Sequence, residues 1–221
     1  MQPNVEKARG RRSLCADLGA GSVLKLSFMS LDDQVRWDRQ HAETQGAERP
    51  STFLRQIFEC AAWQLPPGRA LDIAAGKGRN ALYLAERGFE VIAVDSSKVA
   101  LSAARRNAQE KHLHVDWQQL DLEQSGFSGG EFDLILNINY LQRSLIAKIK
   151  AALRPGGHVI CETYSIDQQV IGHPKNPQYF LTHNELLDHF RDFRVLYYRE
   201  GKFSDAGEPS FRAGIFGQKV D

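Results

Sequence analysis

The chain has 221 residues, 42% of them hydrophobic, with 28 Lys+Arg against 27 Asp+Glu. That is enough for one domain with an ordinary core and too little for two full ones. A net charge of +1 supplies no excess for phosphate backbones, so no nucleic-acid partner is expected and a small-molecule one is favoured. No apolar run approaches the roughly 18 residues of a membrane helix, so no membrane partner is expected.

Residues 1–28 carry Lys7, Arg9, Arg11, Arg12 and Lys25 against Glu6 and Asp17, without periodicity. They read as a flexible tail before a single domain over 29–221. The run from Ser13 to Leu26 is broken by Asp17, Gly19, Gly21 and Lys25, which makes a poor core for a targeting peptide. Cys15, Cys60 and Cys161 lack metal, redox or disulfide spacing, so no metal is expected and the cytoplasm is the natural compartment.

From Leu31 to Leu65 the spacing predicts one or two helices, with Val35, Trp37 and His41 early and Phe53, Leu54, Ile57, Phe58 and Ala61 later. Pro66, Pro67 and Gly68 end that pattern, and Ala70 to Ala75 reads as a first strand buried on both faces. Gly76, Lys77 and Gly78 turn into a helix bearing Leu82, Leu84 and Ala85, capped by Gly88. Val91 to Val94 is a second strand, Ser96 or Ser97 caps a helix through Ala108, and Leu113 to Leu120 is a third strand. Phe132 to Ile138 is a fourth. An amphipathic helix with Leu145, Ile146, Ile149 and Leu153 follows, then a turn at Pro155-Gly156-Gly157 and a fifth strand from His158 to Cys161.

Such alternation implies a doubly wound α/β fold, a mainly parallel sheet with helices on both faces. Beyond it, Ile166 to Leu181 reads as a long loop, and Thr182 with Glu185 reads as a capping box opening a short helix. Phe193 to Tyr198 and Phe211 to Gln218 then form a hairpin at the edge of the sheet.

The chemistry concentrates in Asp72-Ile73-Ala74-Ala75-Gly76-Lys77-Gly78. Glycines between a strand end and a helix start let a charged ligand approach exposed amides. Gly76-x-Gly78-x-x-Ala81 also fits a loose dinucleotide fingerprint. Asp72, inside the strand, suits the amino-acid end of a sulfonium cofactor, or else is a buried Asp satisfied by amides. Asp95, 19 residues past Gly76, can accept from both ribose hydroxyls, or simply favours a helix N-terminus. Asp121-Leu122 follows the third strand, where an acceptor and an apolar neighbour suit an adenine.

Together these residues resemble the class I S-adenosylmethionine-dependent methyltransferases, from Ala70 to about Ser165. Phe132-Asp133-Leu134-Ile135 and Leu153-Arg154-Pro155-Gly156-Gly157 look like later motifs of that family, whereas Ala74 stands where its first motif usually has glycine. Gly76-Lys77-Gly78-Arg79-Asn80-Ala81 looks like the small tellurite-resistance type members. The resemblance implies a Rossmann-like, seven-stranded sheet with a cofactor-binding core over 69–165. It implies S-adenosyl-L-methionine as cofactor and methyl transfer to a small acceptor. It implies a cofactor site of Asp72, Ala74, Gly76, Gly78, Asp95, Ser96, Asp121, Leu122 and Asn137.

Sulfonium displacement needs alignment and exclusion of water more than a dedicated base. Should the acceptor have to lose a proton, the candidates are Tyr140, Arg143, Glu162, Tyr164, His173 and His183, each also readable as a wall or loop residue. Arg143 stands out as a holder of a carboxylate or other oxyanion. An NAD(P)-dependent oxidoreductase and a non-catalytic cofactor-binding protein stay open as alternatives, as do the acceptor atom and the state of self-association.

Overall fold

A computed structural model describes residues 38–39, 49–122, 127, 130–172, 174, 176–204 and 208–220. The expected tail over 1–28, the helix residues Val35, Trp37 and His41, and His173 lie outside the described residues. Seven strands form one sheet: β1 (Arg69–Ile73), β2 (Glu90–Asp95), β3 (Asp116–Gln119), β4 (Phe132–Ile138), β5 (Leu153–Tyr164), β6 (Phe193–Phe203) and β7 (Ser210–Lys219). Their spatial order is β3-β2-β1-β4-β5-β7-β6. The first five pair in parallel, while β7 runs antiparallel to both β5 and β6. The chain order reverses between β1 and β4, so a crevice opens beyond their carboxyl ends, where ligands of open α/β sheets bind.

Helices α1 (Thr52–Glu59), α2 (Arg79–Ala85), α3 (Lys98–Glu110), α4 (Ile146–Ala152) and α5 (Glu185–His189) cover the sheet. Side chains alternate along each strand, and this divides the core into two layers. Leu134, Leu136 and Ile160 meet Phe53, Ile57, Leu82 and Leu84 on one face. Leu71, Ile73, Ile135 and Val159 meet Ile146, Ile149, Leu186 and Phe190 on the other. Ser51 caps α1 and Ser97 caps α3 by accepting from Ala100 N at 3.0 Å, which resolves the choice between Ser96 and Ser97. Gly88, at φ 84°, takes the left-handed turn after α2.

Several boundaries differ from expectation. Leu153 leaves the helix and begins β5, pairing with Phe132, while His158 pairs with Leu134. The Pro155-Gly157 turn is therefore a bulge within a longer β5. Ile166 to Leu181 is not wholly irregular, since 3-10 turns form at Ile166–Val170 and Pro177–Tyr179. Only half of the capping box forms: Thr182 N donates to Glu185 Oε2 at 2.8 Å, but Thr182 Oγ1 donates to the same oxygen and leaves the helix amides alone. Asn184, at φ 61°, precedes α5 instead.

Candidate functional site

The loop after β1 is built from left-handed residues. Ala74, Gly76 and Gly78 have φ of 54°, 55° and 82°, so the turn into α2 demands at Ala74 a conformation that a Cβ makes costly. Gly78 serves packing: an added Cβ would lie 2.4 Å from the Trp117 ring and 3.1 Å from Ala104 Cβ. It lets α2 sit close to α3 and β3.

Asp72 is 1% exposed, and its Oδ2 has no hydrogen-bond partner among the described residues. Burial pushes its pKa up to about 7, against the pull of the Arg79 guanidinium and the Ala81 amide, with Asp95 adding to the rise. A carboxyl so placed is ready for a cation. Arg79 opens α2, where a cation opposes the helix dipole, and makes no hydrogen bond to a described residue. Its pKa is lowered chiefly by burial, and the charges of Asp72, Arg212, Glu162 and Tyr164 all reach it.

Asp95 ends β2 with both oxygens on amides: Gly76 N donates to Oδ2 at 2.7 Å and Ser97 N to Oδ1 at 2.8 Å. It thereby ties the glycine turn to the α3 N-terminus while each oxygen keeps a further lone pair. Ser96 lies half-buried beside it, and Ser97 Oγ hydrogen-bonds Asp38. Asp121 is half-buried after β3; Leu122 is buried, its carbonyl accepting from Gln142 Nε2 at 3.4 Å. Asn137, opposite Ile73 in register, is 4% exposed with an unpartnered Oδ1. Asp72, Ala74, Gly76, Asp95, Ser96 and Asn137 thus gather at the carboxyl ends of β1, β2 and β4, with Asp121 and Leu122 beyond β3.

The residues weighed as bases fare differently. Glu162 Oε1 accepts from Arg199 Nε and Nη2 at 3.1 and 2.6 Å, and Arg199 Nη1 donates to Gln56 at 3.1 Å. Arg143 donates to both Glu185 oxygens at 2.6 and 2.9 Å and to the carbonyls of Gln178 and Phe180. These bonds hold the Glu185 pKa at about 2, overcoming the upward push of burial. The oxyanion role expected of Arg143 meets a guanidinium already closed on internal partners. His183 is exposed beside Asp167 at 3.1 Å, outside α5. Tyr140 donates to Gln142 at 2.6 Å, and Tyr164 lies under the Arg212 guanidinium, 4.3 Å from its ring.

Sequence reading missed Arg79, Arg199 and Arg212. Only Arg79 carried a local signal, a cation in the first helical turn, where a carboxylate is the favoured residue. Among the described residues no metal-binding cluster occurs, and no helix is long and apolar enough to cross a membrane.

Residues 70–157 match the family described as "Methyltransferase domain". The ubiquinone biosynthesis O-methyltransferase of Nitrosococcus oceani is 35% identical over 101 residues, covering 43% of each chain. That of Acinetobacter baylyi is 25% identical over 136 residues, 58% of this chain and 57% of the other. The chain therefore spans about half the length of these curated relatives. Among solved structures, the Burkholderia thailandensis 1,6-didemethyltoxoflavin-N1-methyltransferase with bound S-adenosylhomocysteine superposes with TM-score 0.63 at 20% identity, over 86% of this chain and 87% of that one. TehB from Haemophilus influenzae superposes with TM-score 0.61 at 19% identity, over 75% and 65%. Strand order and domain match agree: residues 70–157 match a methyltransferase domain, within a sheet whose fold these solved structures share.

Proposed function

We propose that the chain binds S-adenosyl-L-methionine at the carboxyl ends of β1 to β4 and transfers its methyl group to a small-molecule acceptor. The observation that carries this reading is Asp72, a buried carboxyl whose Oδ2 has no partner among the described residues, within reach of the Arg79 charge. An amino-acid zwitterion suits both groups: its ammonium takes Asp72 and its carboxylate takes Arg79. Ala74 and Gly76 form the turn under that group, Asp95 accepts from the ribose hydroxyls, and Ser96 lines the ribose side. Asp121 and Leu122 hold the adenine, and Asn137 Oδ1 faces the reacting end. Gly78 contributes by packing rather than by contact.

When bound, the sulfonium supplies an electrophilic methyl group and leaves as a thioether. The protein's part is to align and to exclude water. Tyr140 and Tyr164 wall the acceptor side, while the Arg143–Glu185 and Arg199–Glu162 pairs fix the elements behind them. A nicotinamide dinucleotide fits this loop less well, since its pyrophosphate would bring negative charge beside Asp72 and its elevated pKa.

The near-zero net charge supports a small acceptor over a nucleic acid. The free thiols of Cys60 and Cys161 support a cytoplasmic setting. Residues 29–221 form the proposed domain, with 1–28 as a tail. A screen of oxygen, nitrogen, sulfur and metalloid acceptors, read as S-adenosylhomocysteine release by the full chain, tests the reading. Release that depends on one acceptor class supports it; S-adenosylmethionine binding without release for every class favours the non-catalytic alternative.

A further inference from the structure

Beside the cofactor residues, the edge formed by the carboxyl ends of β4 and β5 and the amino end of β7 carries more positive than negative charge. Glu162 is the carboxylate there, and two arginines share it. Arg199 closes on Oε1, and both partners are at most 6% exposed. Arg212 Nη1 stays 3.7 Å from Oε2, beyond hydrogen-bond distance. Arg212 sits opposite Tyr164 in the β5–β7 register, its guanidinium over that ring at 4.3 Å. Nε donates to Ser210 Oγ at 3.0 Å and Nη1 to Asn139 Oδ1 at 2.7 Å. Nη2 has no hydrogen-bond partner among the described residues, although the side chain is only 15% exposed. Two neutral partners orient this guanidinium, and the one carboxylate it pairs with is already closed on Arg199, so two largely buried cations share a single counter-charge.

Glu162 also lines a narrow cleft with Asn137, Tyr140, Leu141, Ile146 and Leu186, with room for about one water molecule. Its walls are mostly apolar, and Asn137 Oδ1 is a buried acceptor without a partner. We infer that the methyl acceptor is a small organic acid whose carboxylate docks on Arg212. The inference rests on the methyltransferase reading and gives its acceptor a chemical class. It also moves the anion-holding role from Arg143, which is closed on Glu185, to a residue whose fork is partly open.

The test uses the full chain saturated with S-adenosylhomocysteine, titrated calorimetrically with hydroxybenzoates and short aliphatic hydroxy acids, each beside its neutral carboxamide. We expect at least one acid to bind about tenfold or more tighter than its amide. Arg212→Gln should abolish that preference, Arg212→Lys should restore part of it, and both variants should keep S-adenosylhomocysteine affinity within about twofold. Turnover with S-adenosylmethionine should show the same change in KM rather than in kcat. Amides that bind as well as acids, a preference that survives Arg212→Gln, or no acid bound by protein that binds S-adenosylhomocysteine would each overturn the inference alone. Loss of S-adenosylhomocysteine affinity in both variants would also overturn it, making Arg212 structural. Failure of the wild type to bind S-adenosylhomocysteine would bring down the cofactor reading first.

Discussion

On the β1–β3 side of the strand-end edge, Asp95 accepts two backbone amides and Asp72 keeps one oxygen without a partner. On the β4–β7 side, Glu162 and Glu185 each meet an arginine through two hydrogen bonds. Both sides bury carboxyl groups at strand ends, but only at Asp72 does a buried carboxyl oxygen lack a partner among the described residues. Burial of a charged residue is therefore no guide to function by itself; the state of its partners separates a ligand site from a scaffold.

The largest effect that bears on this contrast is at Glu162. Glu162→Gln takes from the buried Arg199 the carboxylate it is closed on and should destabilise the protein by about 3–5 kcal/mol in denaturant unfolding. Adding Arg199→Met should recover much of the loss. A loss below about 1 kcal/mol would show that the pair is not a closed structural unit, and the two sides would no longer differ.

Asp72 should behave in the opposite way. Its folded-state pKa of about 7 lies above the ordinary 3.8, so its contribution is most favourable below the ordinary value and is lost as pH rises through about 7. Asp72→Asn should therefore match the wild type in stability near pH 4 and become the more stable protein by pH 8. At about 1.4 kcal/mol per pKa unit, the gap reaches a few kcal/mol. Thermal unfolding across that range reads it, and a gap that stays constant would mean that the carboxyl has found a partner. Cofactor affinity should rise over the same window in the wild type, as the ionised form becomes available to a cation, and stay flat in Asp72→Asn.

The smallest effect is at Ala74. A left-handed Ala costs about 1–2 kcal/mol, and Gly gives back about 0.5–1 kcal/mol in chain entropy. Ala74→Gly should therefore raise stability by about 0.5 kcal/mol, measured by denaturant midpoint at unchanged slope. Destabilisation would mean that the Ala74 methyl packs more than it strains.

Much of the proposed cofactor side was legible in the sequence because its determinants are local. The run from Ala70 to Gly78 carries strand, turn and helix start in nine consecutive positions, and the apolar strand of Asp95 ends where Ser97 can cap α3. The β4–β7 side depends on partners far apart: Glu162 and Arg199 are 37 residues apart, and Arg143 and Glu185 are 42 apart. No periodicity announces such pairs, so Glu162 and Arg143 read as free chemical groups. Thr182 and Glu185 have the spacing of a capping box, but the Thr182 hydroxyl turns to the carboxylate instead of the helix amides and Asn184 takes the place before the helix. Leu153 fits the apolar stripe of α4, yet pairing with Phe132 draws it into β5, a case of sheet register overriding helical spacing.

The central claim is that a sulfonium nucleoside lies across the acidic side chains of β1 and β2. It is tested most directly by calorimetric titration of S-adenosylhomocysteine and of NAD into the wild type and Asp95→Ala. The account predicts saturable binding of S-adenosylhomocysteine alone, weakened more than about tenfold by Asp95→Ala, a loss of at least about 1.4 kcal/mol. Saturable binding of NAD instead, or wild-type affinity for S-adenosylhomocysteine in Asp95→Ala, would contradict it.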